Sequence, residues 1–348
     1  GVSPNTVSLP SGPGSIDGLG ESFQPMLNTG SARYSVPISL PGGVAGNTPS
    51  LALSYDSGSG DSSASIGWNY GPGGISRQTD KGIPRYVDTA NGLDDDHDNQ
   101  IDEADELDRF VGVDGEELVA FANHVYRARI EGNFARYTKV GQGWEVELTS
   151  GATLYYGTSA ASQITNASGT QIFRWLLAKS TDNNGNAIEY DYISYGGSTN
   201  QKYLKQIRYA GGAAPWGVFY FASFEYGDKP DWRKDYRSGF EVKTTKRLTG
   251  ITIGIQGTQP QQSAPGDWNG DLTGDALISR YALDYDDNSA PISHLIKVTR
   301  FGSDGVNYLP PTSFAYSTVG VTVSASVAID AQFATIGADN APLSVMDS

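Results

Sequence analysis

The sequence predicts an all-β protein: a large antiparallel, meander-type sheet assembly, shell-like or sandwich-like, with long loops and very little helix. Three observations carry that prediction. Apolar and aromatic residues come in short runs, about five residues each, separated by Gly, Asn, Asp and Ser, which is the punctuation of strands and hairpins. Glycine (43) and tyrosine (20) are both abundant while hydrophobic content is 38%, a balance that suits turn-rich sheet better than a helix-covered α/β enzyme. No stretch sustains the 3.6-residue apolar period of an amphipathic helix.

Residues 1–22, rich in Gly, Ser and Pro, read as an irregular lead-in. The β domain is expected over 23–317. Residues 34–40 alternate and contain Pro37, which lacks a ladder N–H and so predicts an edge or a bulge. Residues 51–55 make the next strand, after a Pro-Gly-Gly-Val-Ala-Gly connection at 41–46, and a Ser/Gly run at 57–64 leads into 66–70. After an acidic stretch, 117–121, 125–130, 134–140, 144–148 and 153–156 are spaced as a β-meander. Residues 173–179, 188–194, 203–209, 218–226, 239–242, 247–255, 279–284, 294–301 and 313–316 continue it. Helix is confined to a turn or two after Asp102. From 318 to 348 the composition turns small and polar, as in a linker or the start of a following domain.

With 348 residues the chain is long enough for a substantial core in one large or two modest domains. It has no cysteine, which excludes disulfides, thiolate metal sites and cysteine catalysis. No apolar run approaches the roughly 20 residues of a membrane-spanning helix. The formal net charge is −15, from 39 acids and 24 bases. Nine of those acids lie between Asp94 and Asp108; without them 30 acids face 24 bases, or −6, so much of the acidity belongs to one loop. Nucleic acid is excluded as a partner because binding phosphate backbones needs a basic face.

That loop, D-D-D-H-D-N-Q-I-D-E-A-D at 94–105, has the ligand spacing of an EF-hand-type calcium loop. Asp94, Asp96 and Asp98 supply side chains at positions 1, 3 and 5, and Gln100 a backbone carbonyl at position 7. Asp102 at position 9 acts directly or through water, and Asp105 at position 12 closes the shell. Asn99 stands where glycine is usual, and tolerates a left-handed backbone better than most residues. Asp105 is shorter than the usual bidentate Glu, so Glu106 competes for its role. Like charges this dense repel one another, and a divalent cation is the simplest way to compact them. The bland alternative is a solvated acidic loop. Without two long flanking helices, such a site is structural rather than a switch. A second set, Asp267, Asn269, Asp271 and Asp275, has acceptors at relative positions 1, 3, 5 and 9; there an Asp/Asn/Gly-rich hairpin loop is the competing reading. Asp182, Asn184 and Asn186 read as a turn.

The stretch 23–86 carries a family resemblance. Phe23, then Thr29-Gly30-Ser31-Ala32, leads into Tyr34-Ser35-Val36-Pro37-Ile38; Thr48-Pro49-Ser50-Leu51-Ala52-Leu53-Ser54-Tyr55-Asp56 and Gly67-Trp68 follow; Ile75-Ser76-Arg77 and Asp80-Lys81-Gly82-Ile83-Pro84-Arg85-Tyr86 complete it. This resembles the N-terminal domain of the Salmonella virulence-plasmid B (SpvB) family, which also opens the B component of insecticidal toxin complexes. Residues 129–137 and 181–192 extend the likeness, the latter resembling one YD-repeat (RHS) unit. The resemblance implies a secreted, extracellular bacterial protein whose all-β domain forms part of a shell around an effector. Its partners would be downstream domains or companion toxin subunits, and any ADP-ribosyltransferase activity would lie outside this chain. It also implies a following FG-GAP-like domain, with Asp347 as the first ligand of its first loop.

Other chemistry is weak. Glu145-Val146-Glu147 has the Glu-x-Glu form of an ADP-ribosyltransferase, but on a strand both acids share a solvent face. His97, His124 and His294 are scattered. Trp216, Phe219, Tyr220, Phe221, Phe224, Tyr226 and Trp232 could form a carbohydrate platform or simply alternate in a sheet core. The function expected is a non-catalytic, calcium-stabilised structural or encapsulating domain; the alternative is a secreted glycan- or protein-binding β module, and a hydrolase needs two converging carboxylates.

Overall fold

The computed structural model describes residues 22–26, 31–89, 94, 107–196, 199–210, 219–256, 276–287 and 292–316. All of its strands belong to one unit, Gly1–Phe314; a second, Ala315–Ser348, lies almost wholly outside the described residues. Helix among the described residues is limited to two 3-10 turns, Val44–Gly46 and Ala160–Ser162.

Four strands, β1 (Ser22–Met26), β2 (Ser31–Pro37), β3 (Ala52–Asp56) and β4 (Trp68–Tyr70), pair antiparallel in chain order as a small sheet. The remaining sixteen form one continuous sheet. Its first part is β5 (Gly74–Arg77), β6 (Phe110–Val111), β7 (Glu117–Ala122), β8 (Val125–Ala128), β9 (Arg136–Val140), β10 (Gly143–Glu147), β11 (Thr153–Tyr156) and β12 (Gln163–Thr165). Then come β13 (Ile172–Thr181), β14 (Ala187–Ile193), β15 (Tyr203–Tyr209), β16 (Tyr220–Asp235), β17 (Val242–Ile255), β18 (Ala276–Asp286), β19 (His294–Phe301) and β20 (Thr312–Ser313).

The sheet closes on itself at one end. Strands β5 to β11 follow one another edge to edge, β11 pairs with β13, and β13 pairs with β5, so eight strands make a barrel. Strand β13 has two roles along its length. Arg174–Leu176 pair with β5, while Lys179–Thr181 pair with β14 and lead out of the barrel into the open run β14 to β20. The small sheet packs on that open run as a sandwich.

Each half has its own core. Inside the barrel are Ile75, Phe110, Tyr137, Trp144, Val146, Tyr156, Trp175 and Leu177, with Phe110, Trp144 and Trp175 in mutual edge-to-face contact at 4.9–5.8 Å. Strand β10 shows the period of 2 that sorts its residues: Trp144 and Val146 are buried, while Glu147 is exposed and pairs with Arg136. Both acids of the Glu-x-Glu stretch therefore lie on the strand face away from the barrel core, as their spacing predicts. Gly157 (φ +63°) sits where a Cβ would lie 2.2 Å from the Trp175 ring, so only glycine lets the chain turn there. In the sandwich, Val36, Leu53 and Trp68 of the small sheet meet Ile207, Phe224, Ile251 and Val298 of the large one. The Tyr281 hydroxyl accepts from Ser39 N–H at 2.9 Å, and the Tyr209 hydroxyl donates to the Pro41 carbonyl at 2.9 Å, tying the two layers.

Three local expectations need correction. Pro37 is the last residue of β2, an inner strand between β1 and β3, so its missing N–H is accommodated at a strand end rather than an edge. The break expected between 226 and 239 is absent: β16 and β17 form one long hairpin, with a bulge near its middle. Strands β1, β5, β6 and β12 were not expected, being two to five residues long with no clear alternation. By contrast, Asp182 behaves as a turn residue, its carboxylate accepting from the backbone N–H of Asn184 (2.9 Å) and Asn186 (2.8 Å).

Candidate functional site

The segment that carries the acidic stretch leaves the barrel after β5 and returns at β6. Both of its ends are fixed by one arginine. Arg77, 5% exposed, donates from Nε to the Ile172 carbonyl (2.8 Å), and from Nη1 to Asp88 Oδ1 (2.5 Å) and Asp108 Oδ2 (2.6 Å). Lys139 of β9 also pairs with Asp88. Two cations thus meet two carboxylates at the mouth of the barrel. Asp108 further accepts from the backbone N–H of Arg85 (2.8 Å) and Tyr86 (2.7 Å), and its own N–H donates to the Val87 carbonyl (2.8 Å).

Aromatic rings line this brace. The Arg77 guanidinium lies 4.7 Å from the Tyr86 ring, 5.4 Å from Phe110 and 5.5 Å from Trp175; Lys139 Nζ lies 5.0 Å from Phe110. Burial pushes the Asp88 carboxyl up, but the Arg77 hydrogen bond and the charges of Arg77 and Lys139 outweigh it and hold the group below the usual carboxylate range. Burial lowers Lys139, opposed by Asp88, and pushes the Tyr86 hydroxyl up to about 12. Tyr86 has φ +66° and donates to the Ser238 carbonyl at 2.5 Å, linking the brace to the β16–β17 hairpin.

Beside the hairpin runs a groove of about 510 Å³, lined by Asp61, Arg174, Lys202, Arg233, Asp235 and Arg237 among others. Three cations here already hold carboxylates: Arg233 with Asp61 (3.4 Å), Lys234 with Glu241 (2.7 Å) and Arg237 with Asp235 (2.6 Å). Along one wall, Ser63, Tyr70 and Tyr226 share hydroxyl hydrogen bonds of 2.8 Å, ending on the Leu204 carbonyl at 2.6 Å. Burial pushes both tyrosine hydroxyls up, so they stay protonated donors.

Of the expected metal ligands, Asp94 is described and half-buried. Asp96, Asp98, Gln100, Asp102 and Asp105 lie outside the described residues, as do Asp267, Asn269, Asp271 and Asp275. Among the described residues no group of three or more His, Asp or Glu is arranged to hold a metal ion. Of the aromatic run, Phe221 and Phe224 are buried core and Trp232 is 48% exposed; Trp216 lies outside the described residues. Neither Arg77 nor Lys139 was singled out by function from the sequence; the one available signal was Arg77 within the Ile75-Ser76-Arg77 signature.

Residues 26–234 match the family described as SpvB, Salmonella virulence plasmid 65kDa B protein. The chain belongs to the SpvB family. Its SpvB relatives include the mono(ADP-ribosyl)transferase SpvB of Salmonella typhimurium, 23% identical over 334 residues, with 74% of this chain and 51% of the relative covered. The chain therefore spans about half the length of the curated relatives it matches. Among solved structures, the N-terminal domain of effector protein SpvB from Salmonella typhimurium strain LT2 shares the fold, with TM-score 0.59 at 21% identity, covering 77% of this chain and 98% of that one. The TcdB2-TccC3 crystal structure superposes with TM-score 0.69 at 27% identity, covering 90% of this chain and 18% of that one. A Photorhabdus luminescens Tc holotoxin pore does so with TM-score 0.70 at 27% identity, covering 90% and 17%. The likeness is to the N-terminal domain of SpvB and to part of a toxin complex, not to a catalytic ADP-ribosyltransferase domain.

Proposed function

We propose that this SpvB-family domain is a non-catalytic wall element of a secreted bacterial toxin-type protein, enclosing or docking a companion chain. The observation that supports it most is the superposition of 90% of the chain on one part of TcdB2-TccC3. A closed barrel continuous with a sandwich suits that work, because closure removes the strand edges on which stray chains could pair. Deleting residues 22–316 from the parent protein should abolish a closed particle in negative-stain electron microscopy, while the isolated chain shows no NAD-dependent labelling of protein targets. NAD turnover by the isolated chain, or an intact particle without it, would refute the proposal.

Calcium belongs to the same reading. The donors Asp94, Asp96, Asp98, Gln100, Asp102 and Asp105 are all oxygens, the class that Ca²⁺ takes, and the Arg77–Asp88–Asp108 brace holds the two ends of the segment that carries them. The ion would neutralise charge beyond the brace and shorten the loop; Asp267, Asn269, Asp271 and Asp275 would hold a second ion. A ligand bound only by the folded state adds about 2.7 kcal/mol at a hundredfold excess over Kd. Melting should rise with calcium and fall with chelator, and Asp96→Ala should remove most of the shift. An unchanged midpoint in all three would take the metal out of the reading.

A further inference from the structure

Away from the barrel mouth, a lysine is buried against two carboxylates. The side chain of Lys229 has no exposed surface; its Nζ lies 3.1 Å from Asp61 Oδ1 and 3.2 Å from Asp231 Oδ1. We propose that Lys229 and Asp61 are joined by a spontaneous isopeptide (amide) bond, with Asp231 as the acid–base group that moves the protons.

The three groups come from two elements, a bulge of β16 and the loop between β3 and β4. Lys229 and Asp231 flank Pro230 on the β16 bulge. There Asp228 pairs with Lys246 and Arg233 with Thr244, so four residues, 229–232, face one, 245. The two residues are two apart and turn the same way. Asp231 is fixed by Ser293, whose N–H and hydroxyl donate to it at 3.1 and 2.7 Å. Asp61 comes from the loop between β3 and β4. That loop is closed by the Gly67 N–H to the Gly60 carbonyl (3.0 Å) and anchored by Ser65, whose hydroxyl donates to the Ser293 carbonyl at 2.7 Å. Ser65 has φ +110°, a strained value for a residue with a Cβ, and such strain persists only where the surroundings impose it.

The chemistry balances with no added reagent. The reacting pair is largely sheltered from bulk water, the Lys229 side chain being fully covered and that of Asp61 9% exposed. A proton passes from the Lys229 ammonium to the Asp61 carboxylate. The amine then attacks Asp61 Cγ, forming the C–N bond. Asp231 accepts the surplus amine proton and returns it to the departing oxygen, the C–O bond breaks, and one water leaves. Ammonium plus carboxylate become amide plus water, and Asp231 ends as it began. Arg233 Nε, 3.4 Å from Asp61 Oδ2, faces the oxygen on which negative charge gathers in the tetrahedral intermediate. Well-oriented intramolecular groups react at effective molarities of up to about 10⁵–10⁸ M, which lowers the barrier to the condensation. The unlinked alternative keeps a fully covered ammonium between two carboxylates, one of them also paired with Arg233, and buried ion groups of this kind contribute little net stability.

Intact-mass spectrometry of the full chain, unfolded before injection, is the test. The expected mass is one water below that of the sequence, and protease digestion should release a branched peptide joining the fragments that contain Asp61 and Lys229. Lys229→Met and Asp61→Ala should both return to the sequence mass. Asp231→Asn should do so while keeping the wild-type circular dichroism spectrum, which separates a failed reaction from a failed fold. A folded wild-type chain at full sequence mass overturns the proposal, as does a loss of water without the branched peptide. An Asp231→Asn chain that still carries the branched peptide overturns the role given to Asp231.

Discussion

Replacing Arg77 with alanine should cost about 3–5 kcal/mol of unfolding free energy, the range seen when one partner of a buried charge pair is removed. The reason is what remains. Asp108 (8% side-chain exposure) and Asp88 (27%) keep their charges but lose the guanidinium, and Lys139 can serve only one of them. The Ile172 carbonyl loses its donor, and Tyr86, Phe110 and Trp175 lose the plane that packs among them. Arg77→Lys should recover only part of the loss, because an ammonium cannot span Ile172, Asp88 and Asp108 with one rigid fork. The effect should depend on pH. The Asp88 pKa is lower folded than unfolded, so its contribution is complete above the unfolded value of about 3.9 and is lost as pH falls through the folded one. Urea titrations should therefore show the Arg77→Ala deficit at full size at pH 7 and shrinking below about pH 4. A deficit that stays constant across that range would mean the arginine acts by packing alone.

Trp175→Ala should be about as damaging, again about 3–5 kcal/mol, by loss of buried area plus the cavity left behind. Trp175 is 1% exposed and sits on β13 against Phe110 and Trp144. Its Nε1–H donates to the Gln142 carbonyl at 2.6 Å, so the substitution also leaves that carbonyl with only the longer bond from Gln163 Nε2 at 3.4 Å. Trp175→Phe should keep most of the packing and lose mainly the hydrogen bond, at roughly 1–2 kcal/mol. Chemical denaturation of the pair separates the two terms. A Trp175→Ala chain within experimental error of wild type would show that the barrel interior tolerates a void of indole size.

The all-β class was legible because it is written in local pattern: Trp144-Glu145-Val146-Glu147 alternates, and the strand buries the residues that alternation nominates. Closure of the barrel was not legible. It rests on β5 meeting β13 across about a hundred residues, and a four-residue Gly-Ile-Ser-Arg strand has no periodicity with which to announce it. The long β16–β17 hairpin was hidden for another reason. Asp228, Lys229, Pro230 and Asp231 look like a turn in sequence and are a bulge in the structure, where tertiary charge pairs override local preference. The acidic stretch stands out by its charge, yet the residues that fix its ends are Arg77, marked only by the Ile75-Ser76-Arg77 signature, and Lys139, which nothing nearby in sequence distinguishes from a surface base.

The double role of β13 also governs when this domain can exist at all. Until residues 172–181 emerge from the ribosome, β5 lacks one neighbour, β11 lacks another, and β14 has no link to the barrel. Pairings so distant in sequence form slowly, since the loop must be closed before any contact rewards it. The local hairpins from β6 to β11 can form first, but the barrel closes, and the open run joins it, only when β13 arrives. The position of that one strand in the chain thus sets the moment at which the barrel can close.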